Sequence, residues 1–347
     1  MRHSRIAIFF SVALFIYTGT GISHNQESDA LYPVERDGRW GYINRSGRVV
    51  VEPQFDYAWE FSNGLGRISL KSKMGFVYKF GRIIIKPEFD NAQDFSEDLA
   101  AVQKGKKWGY IDKTARIIIE LEYFNSEHQN EEWAVEELPN FSDGVAVVVT
   151  PNGTDFIEKG GKVITHLKTQ IFTRFSEGLG RVEMDGKYGW VDKRGQMIIK
   201  PQFDYAEDFS EGLAPVRFGN LSWEGKSGDK WGYIDKTGKI VIEPKYDSAS
   251  SFSEGLASVK VGSEAGWIDK LGREVIKLQF DDTYDFSEGL GAFASAGRFG
   301  FVDKTGKVVI EAKFVGAQKR FLHSLAAVSE DNQSGYIDKS GKYVWKD

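Results

Sequence analysis

"WGYIDKTGKIVIEPKYDSASSFSEGLASV", residues 231–259, contains a tight turn, an apolar run, a proline and a Phe-Ser-Glu-Gly signature. Close variants begin at Trp108 ("WGYIDKTARIIIE") and Phe299 ("FGFVDKTGKVVIEAKF"). Aligned on the first glycine of this stretch, the chain repeats at Gly41, Gly75, Gly109, Asp155, Gly189, Gly232, Gly266, Gly300 and Gly335. The steps are 34, 34, 46, 34, 43, 34, 34 and 35 residues. A length of 347 residues alone would suggest two domains. Nine copies of one unit override that count and point to a repeat array.

Each copy holds three short runs rich in β-branched or aromatic residues, too short for helices, and these read as strands. The first is the Leu-Ala-Ser-Val type (residues 31–34, 99–102, 179–182, 213–216, 256–259 and 325–328). The second is the Gly-Tyr-Ile-Asp type, and the third is the apolar run typified by residues 83–85, 117–119 and 308–310. Between second and third stands Asp-Lys-Thr-Gly, as at 235–238 and 303–306. Asp at the first turn position accepts N–H groups of its own chain, and Gly at the fourth adopts positive φ, as a type I turn with a G1 bulge requires. Ala115 replaces that Gly in one copy. Asp37-Gly38 and Asp185-Gly186 suit two-residue type I′ turns between first and second strands. The expected class is all-β, with each unit a three-stranded antiparallel meander.

The remaining link carries Pro53, Pro87, Pro201 and Pro244 where a strand should stop, because Pro donates nothing to a ladder. Aromatics follow two residues later, and again at Phe61, Phe95, Phe141, Phe175, Phe209, Phe252 and Phe286. A lone meander cannot bury its face, so these rings are expected to wedge between neighbouring units. Burial of about 150 Å2 per ring corresponds to roughly 4 kcal/mol per copy before entropy is subtracted.

These residues resemble the WG repeat, also called the KWG repeat, of mainly bacterial proteins. "KWGYIDKTGK" at residues 230–239 and "KWGYIDKTAR" at 107–116 carry the likeness, which covers 31–347. It implies a β-rich array, often exported, with binding or scaffolding roles and no shared catalytic residues. Trp precedes the motif glycine only at Trp40, Trp108 and Trp231; Met74, Thr154, Tyr188, Ala265, Phe299 and Ser334 stand there in the other copies. That variation marks a packing preference. Propeller blades usually have four strands and the chain shows no displaced strand to close a ring, so an open or superhelical stack is favoured over a closed β-propeller.

Residues 1–23 fit a signal peptide: Arg2 and Arg5 precede an apolar stretch at 6–17, with small residues before a cleavage point after Ser23. Residues 24–30 then form a short mature N-terminal segment ahead of the array. The apolar run is short for a membrane span, which needs roughly 20 residues, so no stable span is expected after cleavage. An uncleaved anchor is the alternative, and the expected location is periplasmic or extracellular. Removing 1–23 changes the formal net charge from −5 to −7, since it takes two Arg and no acid. Without a basic tract, nucleic-acid binding is disfavoured. Absence of Cys excludes a disulfide framework.

The carboxylates Glu97, Glu177, Glu211, Glu254 and Glu288 recur in every Phe-Ser-Glu-Gly turn, whereas a catalytic acid needs one tuned environment. They read as turn residues, as do the aspartates of the Ile-Asp-Lys motif. No paired His suits a metal, and the acidic run 281–285 lacks the glycine and distal Glu of a calcium loop. No catalytic, metal or cofactor site is therefore expected. The structural signature is Gly41, Gly109, Gly189, Gly232, Gly266, Gly300 and Gly335 with Phe209, Phe252 and Phe286.

What departs from the repeat is the candidate site. The 46-residue step adds twelve residues near 122–140, including Glu131, Glu132, Trp133, Glu136 and Glu137. The 43-residue step adds nine near 218–230, around Trp223. The meander places both additions at the same end of the strands, and insertions in arrays commonly map to a binding face. The expected function is a non-catalytic exported scaffold binding a protein partner in the bacterial envelope or outside the cell. The alternative is a module for a glycan or cell-wall ligand held in aromatic grooves between repeats.

Overall fold

The computed structural model describes residues 30–105, 107–123, 140–150, 153–168, 174–218, 230–330 and 333–346. They form nine small antiparallel sheets, numbered here blades 1 to 9 in chain order, arranged as a closed ring. Blade 6 is representative: Tyr205–Ala206, Leu213–Phe218, Lys230–Asp235 and Ile240–Tyr246 pair in that order from the centre outwards. Seven blades have four strands; blades 1 and 4 have three among the described residues. The three-stranded expectation is corrected by the inner strand, often two residues long, which falls in the stretch assigned to a link. Its signal is hidden between the proline and the Ser-Glu-Gly turn.

That turn joins the inner strand to the next. Glu211 and Gly212 adopt φ of 53° and 88°, and Ser210 and Leu213 exchange backbone hydrogen bonds at 2.9 and 3.2 Å. This is a two-residue type I′ hairpin loop. The Asp-Lys-Thr-Gly turn forms as expected: the Asp235 carboxylate accepts the N–H groups of Thr237 and Lys239, and Gly238 sits at φ 84°. Proline does not end the third strand, contrary to the expectation. Strand Ile240–Tyr246 runs through Pro244, and its pairing jumps from Tyr233–Ile242 to Trp231–Tyr246. The bulge removes the ladder positions that Pro cannot serve.

The motif glycines answer to this bulge. A Cβ on Gly232 would lie 2.5 Å from the Ile242 carbonyl oxygen, and the same holds within 2.3–2.6 Å at Gly41, Gly75, Gly189, Gly266 and Gly300. In blade 4 the ladder runs unbulged from Phe156–Thr165 to Asp155–His166, and Asp155 stands there, facing His166 at 2.6 Å. Blade 9 is equally unbulged at Gly335, where a Cβ would lie 2.3 Å from the Trp345 carbonyl oxygen.

The aromatic wedges are present. Each Phe of the Phe-Ser-Glu-Gly type packs on the residue that follows the motif position in the preceding blade: Tyr42–Phe61, Phe76–Phe95, Tyr110–Phe141, Phe156–Phe175, Trp190–Phe209, Tyr233–Phe252, Trp267–Phe286 and Phe301–Phe321, with centroids 4.8–5.3 Å apart.

The open stack is overturned by the last seam. Tyr336 of blade 9 packs on Tyr32 of blade 1 at 5.4 Å and donates its hydroxyl hydrogen bond to the Pro33 carbonyl. Tyr32 donates to the His323 carbonyl, and Gln318 to Glu60. Leu325, Tyr336 and Ile43 share one core cluster with Val34. No exchanged strand is needed among the described residues, because side-chain burial joins blade 9 to blade 1 as it joins every other pair.

Candidate functional site

The recurrent carboxylates tie blades together. In the Ser-Glu-Gly turn, Glu211 of blade 6 accepts the Gly255 N–H of blade 7 at 3.0 Å and pairs with Lys270 of blade 7, also at 3.0 Å. Glu97, Glu177, Glu254 and Glu288 make the equivalent ties to Lys159, Lys236, Lys304 and Lys339. Burial pushes the Glu254 carboxyl up, but Lys304 and the Gly289 N–H outweigh it and hold the group below its usual range. The adjoining serine hydroxyls donate to the next blade's phenylalanine carbonyl, from Ser62 to Phe95 round to Ser287 to Phe321.

The opposite face carries type I′ hairpins between second and third strands in blades 2, 5 and 8, at Lys71-Ser72, Asp185-Gly186 and Ala296-Gly297. A second ring of ties runs here: Arg39–Asp56, Lys73–Asp90, Lys187–Asp204 and Lys230–Asp247 each join one blade to the next. Asp281, in the acidic run, accepts the Ala296 N–H of such a hairpin. Among the described residues, no group of three or more His, Cys, Asp or Glu could hold a metal ion. Nor is any helix there long and apolar enough to cross a membrane.

The hairpin face also holds partly exposed aromatics that the repeat pattern did not single out. Between blades 1 and 2, Trp40, Tyr57 and Trp59 pack in sequence as tilted pairs at 4.6 and 4.4 Å, with Arg67 over Trp59 at 4.3 Å. Between blades 5 and 6, Tyr205 lies 5.4 Å from Tyr188 and 5.5 Å from Trp231. Arg181 covers Tyr188 and Arg217 covers Tyr205, both at 5.6 Å. The available signal was a tyrosine two residues after the bulged strand's final aromatic, as in Phe203-Asp204-Tyr205.

Towards the axis the inner strands bring charges together. Glu207 is pushed above its usual range by burial, an effect that Arg181 opposes and Asp208 and Asp285 reinforce. Asp94 pairs with Arg67 at 2.9 Å, and Arg174 with Asp208 at 2.9 Å.

Glu131, Glu132, Trp133, Glu136, Glu137 and Trp223 lie outside the described residues. The strand ends that lead to them are described. Phe218 and Lys230 pair at the open end of a hairpin, as Lys104 and Lys107 do in blade 3, and Tyr123 ends beside Trp108 at that same end. The strand ends at Tyr123, Phe218 and Lys230 therefore lie on the hairpin face, the last two near Arg217, Tyr205 and Trp231.

Several solved structures are similar to this chain at low identity. Kluyveromyces lactis Hsv2 with loop 6CD replaced is 12% identical, covers 83% of this chain and 95% of its own, with a TM-score of 0.40. The dihydro-heme d1 dehydrogenase NirN covers 93% and 74% at 12% identity and a TM-score of 0.48. AztD from Citrobacter koseri covers 91% and 92% at 8% and 0.40. Comparison with curated proteins gave no sequence match. The model of the WG containing repeat matches residues 40–73, 74–108, 108–123, 156–188, 188–221, 231–264, 266–295 and 299–333. With matches over most of its length and one blade built from each unit, the chain belongs to the WG-repeat family.

Proposed function

We propose that this protein is an exported, non-catalytic scaffold that holds a protein partner on the hairpin face of its ring. One observation carries the reading: both aromatic–arginine clusters lie on that face, together with the strand ends that lead into the two insertions. Trp, Tyr and Arg are the residues that anchor protein contacts. The repeated carboxylates, by contrast, are engaged in blade-to-blade ties. The acidic insertion around Trp133 suits a partner rich in Lys or Arg, with its charges acting mainly on the association rate. Export to the periplasm or beyond follows from residues 1–23, and intact mass of exported material should begin near His24.

The adjoining rings of Trp40, Tyr57 and Trp59 favour one second reading, a glycan laid against an aromatic surface. Capture from envelope extract, repeated with cell-wall sugars as competitor, separates the two. Trp133→Ala and Tyr205→Ala should each weaken capture of a protein by about 2 kcal/mol. Loss of capture to sugars would favour the glycan, and indifference to both substitutions would sink the face assignment.

A further inference from the structure

The seam between blades 9 and 1 differs from those between blades 1 and 2 and between blades 5 and 6 in what fills it. Between blades 1 and 2, Tyr57 of an inner strand covers Trp40; between blades 5 and 6, Tyr205 covers Tyr188. In blade 9 the residue matching Trp40 and Tyr188 is Ser334, and the described part of blade 1 has no inner strand. A groove of about 450 Å3 lies there, between Glu35 and Trp40 of blade 1 and Gly316, Ser334, Tyr336 and Trp345 of blade 9. That volume is enough for a bulky side chain with part of its backbone.

The groove borders the inner edge of strand Leu31–Arg36. In blade 6, the matching edge uses the carbonyls of Arg217 and Pro215 to accept the N–H groups of Asp204 and Glu207, at 3.0 Å each. Their counterparts in blade 1 are Glu35 and Pro33. Tyr42 of blade 1 donates to the inner-strand carbonyl of Trp59 at 2.9 Å, whereas its counterpart Tyr336 donates to Pro33. Edge acceptors and an apolar slot thus lie side by side, and the seams between blades 1 and 2 and between blades 5 and 6 show the matching shape: an extended backbone bearing one aromatic ring. Residues 24–29, His-Asn-Gln-Glu-Ser-Asp, carry no aromatic to offer it.

We infer that this seam is a peptide-binding site. An extended segment of a protein partner adds to the edge at Glu35 and Val34 and places one aromatic side chain beside Ser334, a strand-addition mode in which main-chain bonds give affinity and the slot gives selectivity. The inference rests on the scaffold reading and names the kind of segment recognised.

The probe is a synthetic peptide of residues 54–61, Gln-Phe-Asp-Tyr-Ala-Trp-Glu-Phe, titrated into the mature full chain by calorimetry. Sub-millimolar binding is expected, weakened at least about tenfold by Tyr57→Ala in the peptide or Ser334→Trp in the protein. Ser334→Trp should leave the melting temperature unchanged, since Trp40, Trp108 and Trp231 occupy that position in other blades. No binding up to about 1 mM, or binding indifferent to both substitutions, overturns the site. Binding seen only after deletion of residues 24–29 assigns the groove to the chain's own segment and overturns it equally. Failure here with Tyr205-dependent capture intact removes the seam site alone; failure of both removes the scaffold reading.

Discussion

Ala115 sits at φ 65° with its N–H bonded to the Asp112 carbonyl at 3.0 Å, in the same turn that glycine closes in the other blades. A side chain in the left-handed region costs about 1–2 kcal/mol, so Ala115→Gly should stabilise the protein by about 1 kcal/mol in denaturant melts. The motif glycine obeys a different rule. Gly232→Ala drives a methyl into the Ile242 carbonyl and should cost about 2–3 kcal/mol. Asp155→Gly, in the unbulged ladder of blade 4, should cost about 1 kcal/mol or less. Equal losses at the two positions would refute the bulge explanation. The turn at Ala115 was legible because its chemistry is local. The need for Gly232 was not, because the atom it avoids belongs to a neighbouring strand whose bulge no local pattern announces.

Pairing of Tyr233 with Phe252 at 5.0 Å recurs at every seam from blade 1 to blade 9, so one element supplies each wedge and the next receives it. Phe252→Ala should lower stability by about 3–5 kcal/mol. The wedge was visible in the spacing; its receiving residue, the one after the motif glycine, was not, since alternation there looks the same on both faces. Turn carboxylates add a pH dependence. Thr114, Thr237 and Thr305 hydroxyls hold Asp112, Asp235 and Asp303 below the ordinary range, and Lys73 and Lys230 do the same for Asp90 and Asp247. Depressed folded values give stability that is complete above the unfolded value near 4 and is lost as pH falls through the folded one. Glu207 and Asp94, raised mainly by burial, act in the opposite sense but are fewer. Melting temperature should therefore be flat from about pH 7 to 5 and fall below that. A rise on acidification would show that the raised pair dominates.

At the scale of the whole molecule, ring closure is a question about two residues far apart in sequence. Nothing in a 34-residue period distinguishes an open stack from a ring, because both bury the same wedge between neighbours and differ only at the ends. The candidate face shared this difficulty: the common face of the strand ends that lead into the insertions follows from strand direction, while the clusters at Tyr57 and Tyr205 exist only where two blades meet. Closure turns the terminal blades into ordinary neighbours, as Tyr32 and Tyr336 show by packing at 5.4 Å while lying more than 300 residues apart. An aromatic pair of this kind contributes about 0.5–1.5 kcal/mol beyond its buried area. A double-mutant cycle of Tyr32→Ala and Tyr336→Ala should therefore give a coupling energy of that size in equilibrium unfolding. In an open array the two substitutions would sit at opposite ends, and their effects would add within about 0.3–0.5 kcal/mol. The Tyr42 and Phe61 cycle provides the internal scale, since that pair meets at 5.0 Å across a seam of consecutive blades. Comparable coupling in both cycles establishes a ring in solution; coupling confined to Tyr42 and Phe61 establishes a stack.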